Sequence, residues 1–101
     1  MKVSGEIQDR VLQDVLVERK AQDAKWGEQN HDPAMWIAIL IEEVGEFARA
    51  VLRHEYEDGP APEIRRELVQ VAAVALSMLE CCDRNHWDKP SPKSHGCPHS
   101  G

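Results

Sequence analysis

The chain has no basic cluster, no long apolar run and no set of cysteines that could frame a fold. Lys and Arg number 12 against 18 Asp and Glu, a formal net charge of -6. That excludes sequence-independent nucleic-acid binding or adhesion to an anionic membrane, which need a concentrated positive field. A phosphate ligand stays open if a divalent cation stands between the like charges. The longest uncharged apolar run, residues 34–41, falls far short of the ~20 residues that span a bilayer. The opening MKVSGEIQDR carries no apolar signal core. Three cysteines, with Cys81 and Cys82 adjacent, point to a reducing cytoplasm.

What is present is helical. At 101 residues and 42% apolar, the chain reads as one soluble domain, small enough that self-association would enlarge its core. Ile7, Val11, Leu12, Val15 and Leu16 fall at helical spacing behind Ser4, a candidate N-cap, and predict a helix over 4–22. AKWGEQNHD breaks the period and ends in Asp32-Pro33, the start signature of a second helix over 33–54. YEDGPAP reads as a short connection. Residues 63–83 then contain neither Gly nor Pro, which favours helix over strand, and VQVAAVALSML is apolar on nearly every side. Such a helix belongs in the middle of a bundle or in an interface. The expectation is all-α: three main helices per chain in a domain spanning 1–84, completed by oligomerisation to a dimer or tetramer, with 85–101 a flexible tail. His95-Gly96-Cys97-Pro98-His99 in that tail could capture Zn²⁺ or Ni²⁺ adventitiously.

The second helix carries the chemistry. At about 100° per residue, Glu42, Glu43 and Glu46 share one sector, in a stripe that begins apolar at Met35 and Ile39 and ends basic at Arg49 and Arg53. Three carboxylates so close repel one another and raise each other's pKa unless something positive is near. A hard divalent cation such as Mg²⁺, or Mn²⁺ in its place, would relieve them. The alternative is a solvated face in which Glu46 and Arg49 simply pair. On the third helix Glu63, Glu67 and Gln70 lie at i, i+4 and i+7, followed on the same stripe by Val74, Met78 and Cys81. Two antiparallel helices with polar clusters beside apolar stretches can face each other across a cage of oxygen groups.

Glu42-Glu43-Val44-Gly45-Glu46, followed by Glu67-Leu68-Val69-Gln70 after a short connection, resembles the EExxE and ExxD motifs of the MazG-like all-α nucleoside triphosphate pyrophosphohydrolases. The likeness runs over about residues 15–79 and includes the preceding WGEQNH. Gln70 departs from it, standing where the family has Asp. The resemblance implies a Mg²⁺-dependent hydrolase that cleaves a (d)NTP between its α- and β-phosphates and clears non-canonical or surplus nucleotides. It implies Glu43, Glu46 and Glu67 as metal ligands, Glu42 as a further ligand or the base for the attacking water, and Gln70 as a weaker ligand or an outer partner. The other expectation is a non-catalytic nucleotide-binding or helical assembly module whose metal site Gln70 has attenuated.

The loop before the second helix offers substrate contacts. Trp26 could stack on a base, Asn30 and His31 could meet base edges or sugar, and Lys25, with Arg49 and Arg53, could meet phosphates. Against this, Trp26 and Trp36 could both be core anchors, a reading preferred for Trp36 because it lies beside Phe47 on the helical wheel.

Overall fold

The computed structural model describes residues 5–87, and its regular elements are three helices: α1 (Gly5–Trp26), α2 (Pro33–Glu57) and α3 (Pro62–Asn85). No helix among the described residues is long and apolar enough to cross a membrane. The Ser4 cap and the His-Cys segment at 95–99 lie outside the described residues.

Helix α1 continues four residues past its expected end. Nothing in Asp23-Ala24-Lys25-Trp26 forbids helix, and the stop comes at Gly27, whose φ of 74° is one that L side chains rarely adopt. Its N–H donates to the Asp23 carbonyl at 2.8 Å. The loss of apolar period after residue 22 therefore marks a change of face, not a break in the backbone.

Helix α2 starts where Asp32-Pro33 places it. Asp32 is extended, and its Oδ1 accepts the Met35 N–H at 2.9 Å while Pro33 fills a first-turn position that needs no donor. The helix closes on Asp58 in the left-handed region. Gly59 follows, its N–H donating to the Arg53 carbonyl at 2.9 Å; a Cβ there would stand 3.0 Å from that of Arg53. Close backbone approach, more than flexibility, requires this glycine.

Helix α3 is the middle layer, packing against both α1 and α2, while those two barely meet. Trp36, only 1% exposed, packs with Val74 and Cys81, and Ile39, Leu40, Met78 and Trp87 close around them. Emptying that volume with Trp36→Ala would cost about 3–5 kcal/mol. Trp36 is thus an anchor, but of α2 onto α3. Trp26, at 60% exposed, is not an anchor. The ordered unit extends past residue 84: His86 turns left-handed, the Trp87 N–H returns to the Cys82 carbonyl at 3.1 Å, and the Trp87 ring joins the core.

Candidate functional site

On α1 the stripe that faces α3 is apolar through Val15, then turns polar at Glu18, Arg19 and Gln22 before ending at Lys25 and Trp26. Opposite stand Glu43 of α2 and Glu67 and Gln70 of α3, all half-buried. Three helices thus bring polar groups to one region without covering it.

Glu18, Gln22, Lys25, Trp26, Glu43 and Gln70 line a cavity of about 300 Å³. Glu43 is its electrostatic centre. Burial pushes the Glu43 carboxyl above its ordinary value, and the charges of Glu67, Glu42, Glu46 and Glu18 push it further the same way. Three nearby acids are already neutralised: Glu46 by Arg49 at 3.0 Å, Glu63 by Arg53 at 3.0 Å and Arg66 at 3.4 Å, Asp14 by Arg65 at 2.8 Å. Glu18, Glu42, Glu43 and Glu67 have no such partner among the described residues.

The oxygen chemistry of this set suits a hard cation, and the repulsion on Glu43 is what such a cation would relieve. As they lie, however, no three His, Cys, Asp or Glu side chains among the described residues stand close enough to hold a metal ion. Occupation would require Glu18, Glu43 and Glu67, which come from three different helices, to move closer together.

A second cavity, of about 240 Å³, adjoins the first through Gln22, Trp26 and Glu43, and is otherwise lined by Gln29, Trp36, Ile39, Val74 and Ser77. Lys25 Nζ sits 4.8 Å from the Trp26 ring centroid, a cation–π contact that holds the exposed indole. His31 meets Trp36 edge-on with ring centroids 4.9 Å apart. The indole Nε1 of Trp36 and the Nε2 of His31 are both buried without a hydrogen-bond partner.

The sequence-derived residues divide by placement. Glu43, Gln70, Lys25 and Trp26 share the acidic cavity, with Glu67 acting on it through its charge. Glu42 is exposed and lines neither cavity, acting on Glu43 only through its charge. Arg49 and Arg53 are engaged by Glu46 and Glu63 and line neither cavity. Asn30 is a strap: its Oδ1 accepts from Arg84 and Asn85, both at 3.0 Å, and its Nδ2 donates to Glu28 at 2.8 Å. Arg84 also donates to the Gln29 carbonyl at 3.0 Å, fixing the loop to the end of α3.

Glu18, Gln22 and Gln29 were not singled out from the sequence. The first two had a usable signal, since Glu18, Gln22 and Lys25 fall at i, i+4 and i+7, but only the position of α1 against α3 gives it meaning. No family model, curated protein or solved structure matches the chain, so the assignment of this site rests on its own residues.

Proposed function

We propose that the chain is a MazG-like nucleotide pyrophosphohydrolase, cleaving a (d)NTP to the monophosphate and pyrophosphate. The observation that carries this reading is the unpaired group around Glu43, beside a cavity walled by two indoles. Acids left to repel one another beside an aromatic slot suit a ligand that brings a cation on a phosphate chain and a flat ring at its other end.

Glu43, Glu46, Glu67 and Gln70 would hold Mg²⁺, with Glu18 a further oxygen from α1. Mg²⁺ there would offset phosphate charge and make a bound water more acidic. Glu42, which is exposed, would orient that water, and Lys25, over Trp26 at the cavity wall, would meet the phosphate chain. Glu46 must exchange its pairing with Arg49 for this role, and Arg49 so released is then available to a phosphate.

Self-association belongs to the same proposal. Ile37, Ile41, Val44 and Leu52 are exposed along one side of α2, away from the face that Trp36 and Ala50 bury against α3. A stripe of that length in so small a chain suits a second copy.

One observation favours the non-catalytic alternative: Gln70 puts a neutral amide into the acidic cavity, and no metal-ready triad stands there. Pyrophosphate release across the NTPs and dNTPs, with Mg²⁺ and with EDTA, decides between them. Mg²⁺-dependent release lost in Glu43→Gln supports the enzyme; nucleotide binding with no release from the wild-type protein supports the binding module.

A further inference from the structure

A further cavity, of about 340 Å³, continues the groove between α1 and α3 beyond the acidic one, and the two share Glu18. The acidic cavity in turn shares Gln22, Trp26 and Glu43 with the aromatic one. Along α1 the steps through these cavities are Asp14, Glu18, Gln22 and Trp26, each four residues after the last. Each step advances about 6 Å along one helix face. Along α3 the matching steps are Arg66, Gln70 and Val74. The cavities therefore follow one line, with a flat aromatic end, an acidic middle and a far end that carries Arg65 and Arg66.

Both arginines are held loosely. Arg65 Nη2 donates to Asp14 Oδ2 at 2.8 Å, but both side chains of that pair are exposed. Arg66 Nη2 stands 3.4 Å from Glu63 Oε2, and Glu63 already has Arg53 at 3.0 Å. Ion pairs this open to water add little to stability. A ligand of higher charge can thus take both guanidinium groups without stranding a buried acid. Their planar forks suit it, since each can donate two parallel hydrogen bonds to phosphate oxygens.

From this order we infer that the cavity at Arg65 and Arg66 is a subsite for the terminal phosphates of a nucleoside triphosphate, the part that leaves as pyrophosphate. This assignment rests on the nucleotide reading above and gives the ligand a direction: heterocycle toward Gln29 and Ser77, cation between Glu18 and Glu43, phosphate tail toward Arg65 and Arg66. With Glu18 given to the cation, Asp14 is the one acid lining this cavity against two arginines. A ligand with a single phosphate ends at the acidic cavity, so the arginine pair selects for chain length.

Calorimetry of the full chain with inorganic pyrophosphate in excess Mg²⁺, and separately with Mn²⁺ alone, reads the subsite apart from the cation site. Replacing both arginines, Arg65→Gln with Arg66→Gln, should weaken pyrophosphate about tenfold and leave Mn²⁺ no weaker, with the helical signal unchanged. Arg66→Gln alone, which leaves Asp14 paired, should give part of that loss. Arg10→Gln with Lys20→Gln removes the same charge from positions outside all three cavities and should leave pyrophosphate unchanged. Equal weakening by the two double variants overturns the subsite, as does indifference to the arginines or a wild-type protein that binds no pyrophosphate at millimolar concentration. Mg²⁺-dependent release from triphosphates, with pyrophosphate binding indifferent to the arginines, would sink the subsite and spare the hydrolase; arginine-dependent pyrophosphate binding in a protein that releases none would do the reverse.

Discussion

Arg19 of α1 and Glu80 of α3, sixty-one positions apart, form a forked pair in which Nε donates to Oε2 at 3.1 Å and Nη2 to Oε1. Arg19 is 5% exposed and also holds Asp23 through Nη1. Burial pulls the guanidinium pKa down, but the hydrogen bonds and charges of Glu80 and Asp23 outweigh it and leave the pKa raised. The pair fixes the rotation of α1 about its own axis, and with it the direction in which Glu18 and Gln22 point.

Replacing Arg19 by Met, which keeps the stem, should therefore lower stability by about 1–3 kcal/mol in urea melts. Glu80→Gln should cost less, because the Glu80 side chain is 45% exposed and water screens its charge. Equal effects from the two substitutions would mean that the guanidinium is not the group at stake.

The Glu43 carboxyl predicts a pH dependence of definite sign. Its pKa is raised from the ordinary 4.5 by burial and by Glu67, Glu42, Glu46 and Glu18, so between the unfolded and folded values the folded chain binds more protons. Stability must fall as pH rises through that window and stay lower above it. In EDTA, Glu43→Gln should melt at a higher temperature than wild type at neutral pH and lose that advantage once the pH drops below 4.5. A neutral-pH loss instead would show that the charged carboxylate is stabilised by groups of the folded protein itself.

The amide at position 70 can be tested against the charge it replaces. Gln70→Asp adds a carboxylate to a cavity already lined by Glu18 and Glu43, and should tighten Mn²⁺ binding about tenfold by calorimetry, the scale on which such partners act. Glu67→Gln and Glu18→Gln should weaken it. Indifference to all three would remove the metal from this site.

The exposed stripe on α2 gives a prediction about mass. Ile41→Glu places a charge in its middle and should convert an assembled protein to a chain of 11.4 kDa by light scattering, with the helical signal unchanged. A wild-type protein that is already monomeric would withdraw the second copy.

Much of this fold can be read from single residues. Asp32-Pro33 starts α2 through one hydrogen bond to Met35, and the freedom of 63–83 from Gly and Pro becomes α3. The run VQVAAVALSML is apolar on nearly every side because α3 has neighbours on two sides. The last turn of α1 was not legible. Lys25 and Trp26 interrupt the apolar period yet remain helical until Gly27, because period reports which face is wet and says nothing of backbone geometry. Within the site, Glu43, Glu67 and Gln70 are marked by spacing alone. Glu18 and Gln29 are not, since their significance arises from the packing of α1 and from the strap that Arg84 and Asn85 tie through Asn30.

The central helix is also the last of the three in chain order. α1 and α2 have almost nothing to hold each other with, so during synthesis both must wait for α3 before either can bury its inner face. Once it emerges, α2 and α3 are joined by residues 58–61 alone and can zip together across a very short closure. α1 must instead find α3 across the whole length of α2, and the Arg19–Glu80 and Asp14–Arg65 pairs join the two once they meet. Assembly of the site is thus a late event in the life of the polypeptide: a nascent chain carries all its carboxylates long before it can set Glu18 against Glu43.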